Sequence, residues 1–421
     1  MKRARVVVVG GGFAGLTLAQ KLKDAPVDIV LVDKSNHHLF QPLLYQVAVS
    51  ALSPGDVATP LRTVFRRQKN VEIRLDEVLA VDREKREVHL RSRETLSYDW
   101  LVLAPGNEPT YFGNDHWREL APGLKTIEDA LTLREKQILS LEMALCVSDP
   151  YERRRLLTTV VVGGGPTGVE MAGSLAEIAR KNVEKDFRGI RAEEIRVILI
   201  DGGERLLAGF PEELSLRTLE DLQELGVEVR LNTRVEKIEE DAVWAAGEQI
   251  PAGNVVWAAG NVAAPLLQSL NCELDRSGRA KVNPDLSLPG DRRVFVLGDA
   301  MCFSIENGTL PGVAQVAMQS GAYVAEIIKD NIPPDRRPPF KYFDKGSMAT
   351  IGRARAVAQI GKFKFGGFVA WAIWALIHVA FLIQFRSRVR VMVEWMWYYL
   401  TFSPGARLLY RYRIFQDRKK R

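Results

Sequence analysis

The chain has 421 residues, 47% apolar and 26% charged, with a formal net charge of +6. This is the composition of a globular protein of two or three domains with a sizeable core, and it excludes a body built of membrane spans. The charge is unevenly placed: residues 362–421 hold 12 Lys/Arg against 2 Asp/Glu, a net +10, which leaves −4 on the remainder. A basic tail on an acidic body calls for an anionic partner, either a membrane or a nucleic acid.

The basic start Met1-Lys2-Arg3-Ala4-Arg5 meets an apolar run that glycines interrupt after four valines, so no signal peptide is expected. Val6 to Val9 reads as a buried strand, followed by Gly10-Gly11-Gly12-Phe13-Ala14-Gly15 and a helix over residues 16–23. The next strand, residues 28–32, ends at Asp33. A strand, a GxGxxG turn, a helix and an acid about 20 residues on form the dinucleotide-binding arrangement. Gly10, Gly12 and Gly15 let the backbone approach a pyrophosphate, the helix N-terminus supplies amides, and Asp33 accepts from ribose hydroxyls. Further strands are expected at residues 71–74 and 100–103, the latter running into Ala104-Pro105-Gly106.

The same plan is then written again. Val160 to Val162 precedes Gly163-Gly164-Gly165-Pro166-Thr167-Gly168 and a helix over 169–179. A charged stretch, 180–194, delays the second strand, 196–200, and its acid, Asp201. A helix over 211–225 and strands at 228–231 and 255–257 follow, the last leading to Ala258-Ala259-Gly260. From Gly10 to Leu103 is 93 positions and from Gly163 to Trp257 is 94, the spacing of two domains with one internal plan. Alternating strands and helices with continuous apolar strands argue for a doubly wound α/β fold.

A third motif is a strand at 294–297 ending in Gly298-Asp299. It resembles the second FAD signature of flavoproteins with two dinucleotide domains, in which the Asp contacts the ribityl chain. That resemblance implies FAD at the first glycine turn and leaves the second for the nicotinamide. The carboxylate of Asp201 suits ribose hydroxyls and repels a 2′-phosphate, so NADH is expected over NADPH, with Arg205 close by. Two nucleotide sites with a flavin between donor and acceptor make an electron relay.

A proline-rich linker around Pro333-Pro334 and Pro338-Pro339 precedes the C-terminal part. The expected division is an FAD-binding domain in two parts, 1–115 and 281–335, an NADH-binding domain, 116–280, and a C-terminal membrane-associating α-helical region, 336–421. Residues 366–383 are apolar except for His378, a helix of about 27 Å at 1.5 Å per residue. That is marginal against a hydrocarbon core of about 30 Å. A single span would also carry the +8 of residues 386–421 to the side opposite the NADH site, against the positive-inside tendency. Residues 389–400 mix Arg390 and Glu394 with Met392, Trp395, Met396, Trp397, Tyr398 and Tyr399, the interfacial residue types. Two helices lying in the surface of an anionic membrane are therefore expected. The apolar load beside the charge argues against nucleic acid.

These residues together resemble the type II NADH:quinone dehydrogenases, single-subunit enzymes that do not pump protons. The resemblance runs over nearly the whole chain and is carried by His38 to Ala48, Gly163 to Glu170, Leu297-Gly298-Asp299 and, most specifically, Pro311-Gly312-Val313-Ala314-Gln315-Val316-Ala317-Met318-Gln319-Ser320-Gly321. It implies a hydride passed from NADH to FAD and two electrons passed on to a quinone. It implies Asp33, Lys34 and His38 along the FAD adenosine and pyrophosphate, with Phe13 and Ala14 in the turn. Val78 and Gly106 would make backbone contacts, Asp299 would hold the ribityl region, and Ala314 and Gln315 would present a helix end to the isoalloxazine. Gln315 and Gln319 would line the quinone pocket, Glu170 would lie between nicotinamide and flavin, and Gly260 would complete the NADH site. No metal is expected; a homodimer peripheral to the cytoplasmic face of the membrane is. The bland readings are a polar helix face for the glutamines and a first-turn acid for Glu170. A sulfide:quinone oxidoreductase or a disulfide reductase would need paired cysteines near the flavin, and Cys146, Cys272 and Cys302 are not suitably spaced. An NADH-sensing flavoprotein without turnover is the remaining rival.

Overall fold

The computed structural model describes residues 3–306, 308–401 and 408–409. They form two compact units, each assembled from separate stretches of chain. The first takes Met1–Leu39, Ala58–Glu108 and Asn261–Lys345; the second takes Phe40–Val57, Pro109–Gly260 and Gly346–Arg421.

The first unit is built on a six-stranded sheet in the order Ser287–Leu288, Asp291–Val296, Trp100–Leu103, Ala4–Val9, Val27–Asp33, Val71–Leu75. All neighbours are parallel except the first pair. Central strands covered on both faces need apolar side chains at every position, and Val6, Val7 and Val8 are fully buried. Helix Phe13–Lys21 packs on helix Ala314–Lys329, which crosses it at a glycine: a Cβ on Gly321 would lie 2.4 Å from the Ala14 carbonyl oxygen. The unit continues through the proline-rich stretch to Lys345. Arg337 is buried there, ion-paired with Asp285 at 3.0 Å.

The second unit repeats the plan with a four-stranded parallel sheet, in the order Val227–Arg230, Arg196–Ile200, Thr158–Val162, Asn254–Trp257. The internal repeat is visible in the register: Val9 pairs with Leu103 in the first unit and Val162 with Trp257 in the second. Helix Pro166–Ile178 starts three residues before the position expected, because proline at the first helical position costs no hydrogen bond. One side of this helix meets a three-stranded antiparallel sheet, Ser347–Gly352, Arg355–Ile360 and Phe363–Gly366. Their approach is backbone to backbone, since a Cβ on Gly173 would lie 1.7 Å from the Ile351 carbonyl oxygen.

Two helices follow, Gly367–Phe381 and Phe385–Thr401. Among the described residues no helix is long and apolar enough to cross a membrane. The first has 15 residues, about 22 Å at 1.5 Å per residue, shorter than the apolar run because the helix stops before Leu382. Most of the basic tail, residues 402–407 and 410–421, lies outside the described residues.

Candidate active site

The two glycine turns are built alike. Gly10 has φ +98° and Gly163 has φ +113°, conformations that only glycine adopts without strain. The third glycine of each turn lies against the first: a Cβ on Gly15 would be 1.9 Å from the Gly10 carbonyl oxygen, and one on Gly168 would be 1.8 Å from that of Gly163. The middle glycines, Gly12 and Gly165, have nothing within 4 Å of a Cβ, so the backbone there is open to a ligand. The answering acids do the same work in both. Asp33 accepts from the Gly11 amide at 2.6 Å and from the Ser35 amide at 2.6 Å. Asp201 accepts from the Gly164 amide at 2.5 Å and from the Gly203 amide at 2.6 Å. Each carboxylate oxygen keeps a lone pair for a ribose hydroxyl. Burial holds the Asp33 carboxyl above its ordinary pKa, with the two amides offsetting only part of that rise.

In the first unit, His38 donates from Nδ1 to the Gly11 carbonyl at 3.0 Å. That bond fixes the tautomer, so Nε2 carries a lone pair, and this atom is buried with no partner among the described residues. Burial holds the ring below its ordinary pKa and therefore neutral. An orphaned buried acceptor beside an open glycine turn fits a ligand hydroxyl or amine, as the adenosine end of FAD provides. Phe13 meets the His38 ring edge-on at 5.0 Å. Lys34 is ion-paired with Glu108 at 3.3 Å on the surface, a contact of little energetic weight. Val78 is buried at the start of strand Val78–Asp82, and Gly106 is left-handed with φ +74° and open space beside it.

Asp299 accepts from the Asn107 side-chain amide at 2.7 Å, and a Cβ on Gly312 would lie 3.1 Å from its carboxylate. Helix Ala314–Lys329 begins just beyond, with no side chain capping its N-terminus, an end that favours electron-rich groups. The two glutamines bind the chain that follows the proline-rich stretch. Gln315 accepts from the Lys345 amide at 3.0 Å. Gln319 accepts from the Phe343 amide and donates to the Phe343 carbonyl, both at 2.9 Å.

In the second unit, Glu170 sits on the helix that opens at the second glycine turn. It accepts only a long bond, 3.5 Å, from the Thr350 amide, and burial pushes its carboxyl up to about 8, so it is protonated at neutral pH. Two helical turns on, Glu177 accepts from the Arg353 amide at 3.1 Å, and burial raises its pKa too. Gly260 is left-handed, φ +73°, against Phe112 and Thr110.

The first unit thus gathers Gly10, Gly12, Gly15, Asp33 and His38 at one turn, and Asp299, Ala314 and Gln315 beyond the carboxyl end of the Gly-Asp strand, on the same edge of the sheet. The second gathers Gly163, Gly165, Gly168 and Asp201, with Glu170 on the same helix. Asn107, Tyr45, Gln46, Glu177 and Arg353 were not anticipated from sequence. Only Glu177 had a signal, its seven-residue spacing from Glu170 on one helix face.

Two dinucleotide turns, a Gly-Asp strand and an uncapped helix define a two-domain flavoprotein reductase. The profile of the pyridine nucleotide-disulphide oxidoreductase family matches residues 4–321, and that of the NDH2 C-terminal domain matches residues 345–401. The chain is 44% identical over 419 residues to the type II NADH:quinone oxidoreductase Ndh of Mycobacterium tuberculosis, covering 96% of this chain and 90% of that one. The chain belongs to the type II NADH:quinone oxidoreductase family. Its fold is similar to that of NDH2 from Plasmodium falciparum in complex with NADH, with a TM-score of 0.88 at 20% identity over 95% of this chain and 99% of that one. It is also similar to the sulfide:quinone oxidoreductase of Aquifex aeolicus, with a TM-score of 0.74 at 20% identity over 95% and 96%. The fold does not separate these two enzymes. The sequence does, at 44% identity to the mycobacterial type II enzyme.

Proposed function

We infer that this protein is a non-pumping NADH:quinone oxidoreductase with FAD as its resident cofactor. The observation that carries the reading is a pair of complete dinucleotide turns, one beside a buried orphan acceptor, in a chain of this family. The chemistry that FAD would supply when bound is acceptance of a hydride from a nicotinamide and delivery of two electrons to a quinone.

The residues of the first unit hold and tune that cofactor. The Gly12 backbone and the amides of helix Phe13–Lys21 take the pyrophosphate, with Phe13, Ala14 and Lys34 around it. Asp33 accepts from the ribose and His38 Nε2 from an adenosine donor. Val78 and Gly106 offer backbone contacts, and Asp299, oriented by Asn107, holds the ribityl chain. Ala314 and Gln315 set the helix N-terminus where negative charge develops. Gln315 and Gln319 shape the acceptor pocket by fixing Phe343 and Lys345.

The residues of the second unit bind NADH. Gly163, Gly165, Gly168 and Gly260 supply the close backbone approach, and the Asp201 carboxylate favours a 2′-hydroxyl over a phosphate. Arg205 is turned to the Ala208 carbonyl at 2.9 Å, away from a phosphate-binding role. Glu170, kept protonated by burial, can give up a proton during turnover.

The C-terminal helices dock the enzyme on an anionic membrane from the cytoplasmic side. Phe368, Leu376, Phe385, Met396, Trp397 and Leu400 are all at least 59% exposed, an apolar surface flanked by Arg386, Arg388 and Arg390 that suits lipid and not nucleic acid. Pairing of two copies through these helices gives a homodimer.

The test is a spectrum and two half-reactions. Purified protein should carry FAD at one per chain, be bleached by NADH far faster than by NADPH, and regain its colour anaerobically with a quinone in lipid vesicles. A colourless protein, or bleached flavin that quinone leaves bleached, overturns the reading.

A further inference from the structure

Tyr111, Phe112, Gly113 and Asn114 make a tight turn in the second unit, closed by the Asn114 amide on the Tyr111 carbonyl at 3.0 Å. Both central residues are left-handed, Phe112 with φ +52° and Gly113 with φ +88°. That is the pattern of a type I′ turn, whose first central position belongs to Asn, Asp or Gly. A bulky side chain there costs free energy, and phenylalanine cannot return a local hydrogen bond as Asn would. Burial does not offset the cost: Phe112 is 67% exposed, while its neighbour Tyr111 is fully buried.

The ring lies on Gly260. A Cβ on Gly260 would be 2.6 Å from the Phe112 Cζ, so glycine there keeps room for the ring. The ring also meets Trp257 at 6.3 Å, tilted by 60°. Thr110 ties the two together: its hydroxyl accepts from the Phe112 amide at 3.2 Å and its carbonyl from the Trp257 indole at 2.9 Å. Trp257 ends its strand, and the next residue, Ala258, lies against the second glycine turn: a Cβ on Gly163 would be 2.7 Å from the Ala258 carbonyl oxygen. The Phe112 ring therefore stands at the carboxyl edge of the four-stranded sheet, beyond strand Asn254–Trp257. Asp201 follows strand Arg196–Ile200, on the other side of the turn. A dinucleotide with its pyrophosphate at the turn and its adenosine ribose on Asp201 must run its other half toward Gly260.

We propose that Phe112 is held in this strained turn to present its exposed ring, seated on Gly260, as the apolar wall against which the nicotinamide riboside half of NADH packs. The inference rests on the reading of the second unit as the NADH site. Strain of this kind persists where the surrounding structure over-determines it, and it collects at ligand clamps. A ring fixed by a tight turn and two hydrogen bonds through Thr110 loses little freedom when a ligand meets it, so its apolar area is available for binding. Phe112 is a binding residue and takes neither hydride nor proton. Because the adenosine half lies toward Asp201, the ring separates a whole nicotinamide dinucleotide from an adenosine fragment.

The experiment titrates the FAD-loaded full chain by calorimetry with NAD⁺, which has both halves, and with ADP, which has only the adenosine half. Phe112→Ala and Phe112→Asn should each weaken NAD⁺ by about tenfold and leave ADP within about twofold of wild type. Phe112→Tyr, which keeps the ring, should bind NAD⁺ as the wild type does. Phe112→Asn should also raise the thermal midpoint, since Asn suits the left-handed position. Unchanged NAD⁺ affinity in the Ala and Asn variants overturns the proposal. An equal loss for ADP also overturns it, since that marks a distorted glycine turn. A lowered midpoint for Phe112→Asn does the same, because the ring then serves the turn itself. A wild-type chain that does not bind NAD⁺ would instead remove the reading of this unit as the NADH site.

Discussion

The glycine turn of the first unit and that of the second share their positive-φ first glycine, their third-glycine contact and their doubly bonded acid. They differ in what surrounds the turn. The first has His38 with a buried acceptor that the protein leaves unfilled, and its helix is crossed at Gly321 by the helix that carries Gln315. The second has two glycines after its acid, Gly202 against the Arg234 side chain and Gly203 against Asp201, and its helix is crossed at Gly173 by a strand of the C-terminal sheet. A turn of this kind specifies a dinucleotide. Whether that dinucleotide stays or leaves is set by the next layer, where an unfilled buried acceptor makes departure costly.

The comparison can be broken most strongly at the third glycines. Gly15→Ala forces a Cβ into the Gly10 carbonyl and should yield protein without flavin. Gly168→Ala should keep the flavin but slow its bleaching by NADH by about 10²-fold, the cost of an ångström-scale misplacement. Absorbance at the flavin band and stopped-flow reduction separate the two. Next in size, Asp201→Ala should raise KM for NADH by about tenfold with FAD content unchanged, as expected for loss of a charged hydrogen bond. Asp33→Ala should instead lower FAD occupancy, read from the flavin-to-protein ratio.

A smaller effect concerns Glu170, whose folded pKa of about 8 lies above its ordinary value of 4.5. The folded state holds this proton where the unfolded chain has lost it, so its stabilisation is present below pH 4.5 and fades as pH rises to 8. Unfolding free energies from denaturant titrations should fall across pH 5–8 by up to about 1.4 kcal/mol per pH unit, and Glu170→Gln should flatten that slope. The smallest effect belongs to Gln319→Ala. Loss of two bonds to Phe343 should cost about 1–2 kcal/mol and speed tryptic cleavage at the exposed Lys341 and Lys345.

Both glycine turns were legible in the sequence because the chemistry of close backbone approach leaves no choice of residue. The parallel strands were legible to within three residues at their ends, because burial on both faces demands unbroken apolar runs; the largest miss is the polar start Asp291-Arg292-Arg293. The C-terminal sheet was not. Its strands are 4 to 6 residues long and carry Arg355, Lys364, Gly352 and Gly366, so neither alternation nor an apolar run announces them. The membership of Phe40–Val57 in the second unit was equally hidden, since stretches of the first unit flank it on both sides. The bond from Trp395 to Gln46 joins residues 349 positions apart, and no local pattern encodes such a pairing.

The backbone contact of Gly173 with Ile351 has a practical consequence for anyone wishing to handle this enzyme without detergent. Trimming the chain after Lys345 would remove the greasy helices, but it would also peel the strand off Gly173 and bare the apolar side of the helix that begins at the second glycine turn. The shortened protein should precipitate more readily than the intact one. Solubility is better sought by replacing outward-facing residues such as Leu376, Trp397 and Leu400 one at a time with polar ones.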